Sequence, residues 1–379
     1  MKIAGLTWWR NNYGSILQAY ALQQYLNSFD DIEYDVICQY GKKIASMDNL
    51  MDKLRTVGII ETTKRIFWKF IIPNLRKRNQ SIQNFVDEKI RVTAKSYNKD
   101  EMNSLNRIYD AFICGSDQIW NPMLESADSI YWLGFVDEGK SKIAYAPSFG
   151  VNSVDNETAL KIRKNLKTFD AVSCREKQGT DALNRICKKD ICTTVLDPTL
   201  LIDPVKWGKI SGKKAIKGKY LFAYMLRGTT SQRKYIERYA RKHNLKIVTM
   251  PFLDNEKICM YDAKFGDIKC WDADPAMFIN LIRYADKVFT DSFHCMVFSI
   301  IYHRDFFVFP KIGKAQLNRM TGLMELFHTG NRMIDIKNDN FCDKLKKINW
   351  EETDAILKEK RSESEKYLNN ALDIARGKC

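Results

Sequence analysis

Residues 2–37 read KIAGLTWWRNNYGSILQAYALQQYLNSFDDIEYDVI, and their spacing decides the fold. Lys2–Leu6 is an apolar run of strand length. Trp8–Gly14 is a loop, and Ser15–Phe29 sets Ile16, Leu17, Tyr20, Leu22, Tyr25 and Leu26 at helical spacing. Ser15 stands where a cap is expected. Tyr34–Ile37 follows as a second apolar run. Strand, helix and strand in this order form a βαβ unit, which requires parallel pairing.

The pattern recurs along the chain. Strands are predicted at Ala111–Cys114, Lys142–Ala146, Ala171–Ser173 and Thr194–Leu196, with helices at Glu157–Thr168 and Lys177–Cys187. Asp197-Pro198 and Asp203-Pro204 interrupt it, because proline disfavours helix in the preceding residue. Trp207–Lys219, rich in Gly and Lys, reads as a linker. A second series comprises strands at Tyr220–Leu226, Lys246–Met250, Lys287–Thr290 and Phe306–Phe309, with helices at Gln232–Lys242, Ala276–Tyr284 and Phe293–Tyr302. Glu351–Ala375 is a closing charged helix. The expectation is two Rossmann-like α/β domains, 1–207 and 208–379. The active site would lie in the interdomain cleft, at the carboxyl ends of the strands.

Bulk properties bound the function. The chain has 379 residues, 45% hydrophobic and 28% charged, enough to bury two cores. Lys and Arg number 61 against 46 Asp and Glu, a balance of +15 that attracts polyanions. No zinc-finger or RNP-type module is present, so nucleic acid is not an expected partner. Residues from about 41 to 95 read as a basic helical insertion. Within it, Lys64–Arg78 interleaves aromatic and basic residues, as a surface helix over the core does, or one lying on an anionic membrane. The N-terminus reads as a strand rather than a signal peptide, and no apolar run is long enough to span a bilayer. A cytoplasmic enzyme with reduced thiols is expected from this and from ten cysteines without a Cys-x-x-Cys. Metal-ligand spacing is absent, so no metal is expected.

Four turns carry the candidate chemistry. Thr290-Asp291-Ser292-Phe293-His294 follows a strand and opens an apolar helix. Helix N-termini present free N–H groups and partial positive charge, so this turn suits an anion. Asp291 or Ser292 can cap the helix. His294 falls in its first turn, where an imidazole can donate a proton or bind a phosphate oxygen. Gly115-Ser116-Asp117-Gln118-Ile119-Trp120-Asn121-Pro122 follows the strand Ala111–Cys114. Gly115 and Ser116 permit a tight turn, Asp117 and Gln118 offer hydrogen bonds to a sugar, and Trp120 offers a ring face. The plainer reading is a structural turn with Asp117 as a helix cap. Asn12 and Gly14 lie in the first βα turn, which lacks G-x-G-x-x-G, so a dinucleotide cofactor is not expected. Arg175, beside Glu176 at a strand end, suits a bidentate carboxylate clamp or a plain ion pair. Lys311, Lys314 and Arg319 add positive charge after the strand Phe306–Phe309.

In this order, these motifs resemble the polysaccharide pyruvyltransferase family. The matching stretches are Asn12-Tyr13-Gly14, Gly115–Pro122, Ala146-Pro147-Ser148-Phe149-Gly150, Ser173-Cys174-Arg175-Glu176, Leu196-Asp197-Pro198-Thr199, Thr290–His294 and Asn318-Arg319-Met320. The resemblance implies a glycosyltransferase-B-like fold and phosphoenolpyruvate as donor and co-substrate, with no cofactor. It implies an acceptor sugar in a capsular, cell-wall or exopolysaccharide precursor, often lipid-linked, and a cyclic ketal as product. His294 takes the position of the family's acid and donor ligand. Two positions depart from the family: Ser292 stands where several members have Arg, and Asn11-Asn12-Tyr13-Gly14-Ser15 where some read Gly-Asn-x-Gly-Asp. The implied roles are His294 and Arg175 as catalytic residues. Asp291, Ser292, Phe293, Arg319, Asn12 and Gly14 would contact the donor, and Gly115, Ser116, Asp117, Gln118 and Trp120 the acceptor. The alternatives are a nucleotide-sugar glycosyltransferase and a non-catalytic binding protein of polysaccharide assembly.

Overall fold

The computed structural model describes residues 1–10, 12–39, 62–251, 260–310, 314–338 and 341–379, with side chains for all of these except 62–72, 260, 263 and 314–318. Two parallel sheets organise it. The first holds β1 (Lys2–Leu6), β2 (Glu33–Val36), β3 (Ala111–Cys114), β4 (Ser141–Ala144), β5 (Ala171–Cys174) and β6 (Cys192–Thr194), in the order β2-β1-β3-β4-β5-β6. The second holds β7 (Tyr220–Tyr224), β8 (Lys246–Thr249), β9 (Ile268–Lys269), β10 (Lys287–Thr290) and β11 (Asp305–Val308), in the order β11-β10-β7-β8-β9. All residues of β3, β4 and β7 are buried, as strands covered on both faces must be.

The strand order reverses once in each sheet, between β1 and β3 and between β7 and β10. At such a switch point the flanking connections leave on opposite sides and open a crevice at the carboxyl ends. The first crevice carries the turns at 7–15 and 115–122; the second carries 225–228 and 291–294.

The helices are α1 (Tyr13–Leu26), α2 (Thr62–Lys89), α3 (Asn156–Leu166), α4 (Lys177–Cys187), α5 (Pro204–Ser211), α6 (Thr230–Lys242), α7 (Pro275–Arg283), α8 (Phe293–Ile301), α9 (Lys314–Leu326), α10 (Phe341–Lys344) and α11 (Trp350–Arg376). Helix α1 begins two residues earlier than the sequence reading, because Asn12, not Ser15, caps it by accepting from the Gly14 N–H at 2.9 Å. The stretch expected to be a linker contains α5, started by the Asp203 cap and Pro204 at its first position. Among the described residues, no helix is long and apolar enough to cross a membrane.

The halves meet through apolar packing. Tyr13 of α1 stacks on Phe278 of α7 at 5.4 Å, and its hydroxyl donates to the Ala273 carbonyl at 2.7 Å. Trp207 of α5 meets Phe298 of α8 at 5.1 Å. Helix α11, placed with the second half on sequence grounds, returns to the first sheet. The Leu196 N–H donates to Ser364 Oγ at 2.9 Å, and the Tyr367 hydroxyl donates to the Ala144 carbonyl at 2.9 Å. Arg376 pairs with Asp31 at 2.7 Å.

The basic insertion lies partly outside the described residues. From Leu75 onward α2 covers the core with Leu75, Ile82, Phe85 and Val86. Arg78, counted within the membrane-facing stretch, is instead buried, donating to the Tyr13 hydroxyl at 3.2 Å. The side chains of 64–72 lie outside the description.

Candidate active site in the interdomain cleft

The Thr290–His294 turn forms as its sequence requires. Ser292 caps α8, accepting from the Cys295 N–H at 3.5 Å. Asp291 is not turned toward a ligand. Its two carboxylate oxygens accept from the Leu226 and Arg227 N–H groups at 2.6 and 2.8 Å, tying the end of β7 to the end of β10. Its expected donor contact is therefore replaced by a structural one, since both oxygens are spent on backbone.

His294 leaves its own half. Its Nε2 lies 3.4 Å from Asp197 Oδ2, an ion-pair distance when the ring is protonated but too long for a good hydrogen bond. Its Nδ1 faces Gly14 of α1 so closely that a Cβ on that glycine would sit 2.0 Å away. Gly14 thus serves by having no side chain: it lets α1 and the imidazole share one volume. Asn12, expected at the donor, is the α1 cap, and Asn11 lies outside the described residues.

Asp197 is the hub that sequence reasoning left as a turn residue. Its Oδ2 accepts from Arg175 Nη1 at 2.7 Å and from Ser116 Oγ at 3.2 Å, and Oδ1 accepts from the Thr199 hydroxyl at 2.7 Å. Burial alone would raise its carboxyl. The charges of His294 and Arg175 and the Thr199 hydroxyl outweigh that and hold it well below the usual carboxylate range. The one available signal was Asp-Pro after a strand, which indicates a cap rather than a partner about a hundred residues away.

Arg175 spends Nη1 on Asp197 and lays its guanidinium over the Phe293 ring at 4.3 Å. Phe293 therefore meets the arginine. Nε and Nη2, the two donors along the side-on edge, have no hydrogen-bond partner although buried. That edge matches the oxygens of a carboxylate or phosphate. Arg319 reaches in from α9 to a narrow crevice shared with Gly150, Glu176 and Gly179, and its Nε is also unmet. Burial, with the like charge of Arg175 nearby, lowers its guanidinium to about 10. Arg175 and Arg319 thus bring two guanidiniums close enough to act on each other. Lys311 and the Lys314 side chain lie outside the described residues.

Asp117, Arg175, His294 and Arg319 keep 6%, 8%, 7% and 7% of their surface accessible, so they form a buried floor where the two halves meet. The Gly115–Pro122 turn supports that floor more than it faces solvent. A Cβ on Gly115, at φ +118°, would lie 1.9 Å from the Tyr145 carbonyl oxygen. Ser116 Oγ is occupied by Ala146 O and Asp197, and Asp117 accepts from Ser15 Oγ and the Gln118 N–H. Asp117 therefore caps no helix. Trp120 is 1% exposed, stacked on Trp132 at 4.4 Å, and its indole N–H donates to Tyr131 O. It is core, and the expected sugar platform is overturned because no ring face is open. Of the acceptor candidates only Gln118 is part-exposed.

Comparison with known proteins agrees with this organisation. The chain is similar to the UDP-GlcNAc 2-epimerase from Methanocaldococcus jannaschii, at 13% identity and TM-score 0.53 over 93% of this chain and 95% of that one. It is similar to UDP-N-acetylglucosamine 2-epimerase from Rickettsia bellii, at 10% identity and TM-score 0.52 over 99% and 97%. The wall teichoic acid polymerase TagF gives 10% and 0.50 over 98% and 89%. At such identities the likeness is one of fold: two Rossmann-like domains in the glycosyltransferase-B arrangement. No curated protein matches the sequence. The model of the polysaccharide pyruvyl transferase family matches residues 12–310, which takes in every cluster member but Arg319, and the chain belongs to that family.

Proposed function

We propose that this chain transfers a pyruvyl group from phosphoenolpyruvate to a sugar of a polysaccharide precursor and closes a cyclic ketal. The observation that carries the reading is the unmet side-on edge of buried Arg175 beside Arg319 and His294. Phosphoenolpyruvate offers a carboxylate and a phosphate about one carbon apart, and two guanidiniums suit two such groups.

His294 Nε2 donates a proton to the methylene carbon, making the adjacent carbon electrophilic. A sugar hydroxyl adds there and loses its proton. Inorganic phosphate leaves with the C–O bonding pair, and a second hydroxyl of the same sugar attacks and loses its proton. The methyl keeps the proton gained, the sugar gives up two, and electrons balance without a redox partner. Arg175 and Arg319 hold the anionic groups as negative charge moves onto the departing phosphate. Asp197 fixes His294 and Arg175 relative to each other. Gln118 stands at the cleft for the acceptor.

The test is phosphate release together with mass-spectrometric detection of pyruvate on a candidate precursor glycan. His294→Ala should lower turnover by roughly 10²–10⁴-fold with an unchanged circular dichroism spectrum. Calorimetric binding of nucleotide sugars but not of phosphoenolpyruvate would refute the donor assignment.

A further inference from the structure

The stretch that joins the halves is densely basic. From Pro204 to Lys219 the chain carries Lys206, Lys209, Lys213, Lys214, Lys217 and Lys219 and no acidic residue. All six lysines are exposed. Val205, at the start of the strip, is 68% exposed.

The strip is held in shape. Asn280 of α7 donates through Nδ2 to the Ser211 and Lys213 carbonyls at 2.6 and 2.8 Å, and its Oδ1 accepts from the Ala215 N–H at 3.2 Å. Arg283 donates to the Gly208 carbonyl at 3.0 Å. Trp207 pins α5 from beneath, its indole N–H donating to the Thr199 carbonyl at 3.0 Å. The bordering acids are engaged with backbone: Asp203 accepts from the Val205 N–H and Asp286 from the Tyr220 N–H. The lysines are thus displayed at fixed spacing and without neutralising partners on their own segment. At one end Lys209 reaches a groove of about 720 Å³ between α2, α5 and α7. At the other, Lys214 and Lys219 line a second hollow.

We propose that the 205–219 strip docks this protein on an anionic lipid bilayer. Exposed lysines on a held backbone, next to an exposed aliphatic side chain, match a surface of negative headgroups over an apolar layer. A nucleic acid would use the lysines but leave Val205 idle, and nothing aromatic on the strip is exposed to stack on bases. The surface is separate from the Lys64–Arg78 stretch and independent of the donor, so its failure leaves the proposed reaction standing.

The experiment is co-sedimentation of the full chain with vesicles of roughly one-third phosphatidylglycerol in phosphatidylcholine, against pure phosphatidylcholine and against a DNA duplex. Binding to the anionic vesicles should be strong at low salt and fall as salt rises. The triple variant K206Q/K213Q/K217Q should lose on the order of 100-fold in partitioning, about fivefold per lysine. It should keep the wild-type melting temperature, and K206R/K213R/K217R should keep binding. No binding at low salt, equal binding to neutral vesicles, tighter retention by the duplex, or a glutamine triple that binds as wild type would each overturn the proposal.

Discussion

Replacing Gly14 by alanine puts the site's geometry to the hardest test. The added Cβ would lie 2.0 Å from His294 Nδ1, 2.4 Å from Cγ and 2.8 Å from Cε1. Comfortable contact between such atoms begins near 3.5 Å, so ring and helix must part by about 1.5 Å. The ring cannot retreat on the Nε2 side, where Asp197 is 3.4 Å away. It must swing off its rotamer, or the halves must separate along α1 and α8. Overpacking of this kind costs about 1–3 kcal/mol, and alanine's helix preference returns about 1 kcal/mol, so the fold should survive. A shift of about 1 Å in a reacting group costs about 10²-fold in rate. Gly14→Ala should therefore lower phosphate release with phosphoenolpyruvate and acceptor by at least that factor, with little change in melting temperature. Gly322→Ala on α9, where no atom lies within 4 Å, is the control and should be neutral. A Gly14→Ala enzyme turning over within a few-fold of wild type would show that the position of His294 does not matter, and the mechanism built on it would fall.

Other consequences are as direct. Arg175→Lys keeps a charge for Asp197 but removes the side-on edge. It should weaken phosphoenolpyruvate binding by about 10–100-fold, from the loss of about 1.5–3 kcal/mol of charge-assisted hydrogen bonding, as read by calorimetry. Asp197→Asn leaves buried Arg175 without its counter-charge and should destabilise the protein by about 3–5 kcal/mol. Because the folded carboxyl is depressed, the stability it contributes is present above the ordinary carboxyl range, near pH 4, and is lost as pH falls below it. The difference in urea midpoint between wild type and Asp197→Asn should thus shrink on acidification, and a constant difference would contradict the assignment. Trp120→Ala should cost about 3–5 kcal/mol, with acceptor affinity unchanged in the fraction that folds. Inorganic phosphate at about 100 times its dissociation constant should add about 2.7 kcal/mol to wild-type stability. Arg175→Lys should show a smaller gain at the same concentration.

The fold was legible because parallel strands buried on both faces leave short apolar runs, and β3, β7 and β10 were found at or near their true limits. Where burial has another cause, the signal misleads. Val195 and Leu196 were read as strand, but the strand is Cys192–Thr194, and Leu196 is covered by α11 through Ser364. The two-residue edge strand Ile268–Lys269 carries too little pattern to be seen. In the candidate site, His294 and Arg175 converge on Asp197 because both follow the ends of parallel strands. Trp120 occupies the same kind of place yet turns inward onto Trp132, and no spacing rule distinguishes the two outcomes. Asp197 and Gly14 matter through what lies opposite them, and that depends on how the halves meet.

That meeting is what makes the cluster a site. The first half supplies Arg175, Asp197 and the glycine that makes room; the second supplies His294 and, from α9, Arg319. Apart, each half would carry one strong cation and no reacting geometry. Together they place two guanidiniums and an imidazole beside three carboxylates, Asp197, Asp117 and Glu176. Burial weakens screening and strengthens each of these interactions. Burial, and then the like charge of Arg175, lowers the Arg319 guanidinium, while Glu176 and Asp117 oppose that. The halves are held together by apolar contacts away from the charges: Tyr13 on Phe278, Trp207 on Phe298, and α11 spanning both halves. On the proposed reaction, the unmet edge of Arg175 takes the charged donor, and part-exposed Gln118 is left to the acceptor.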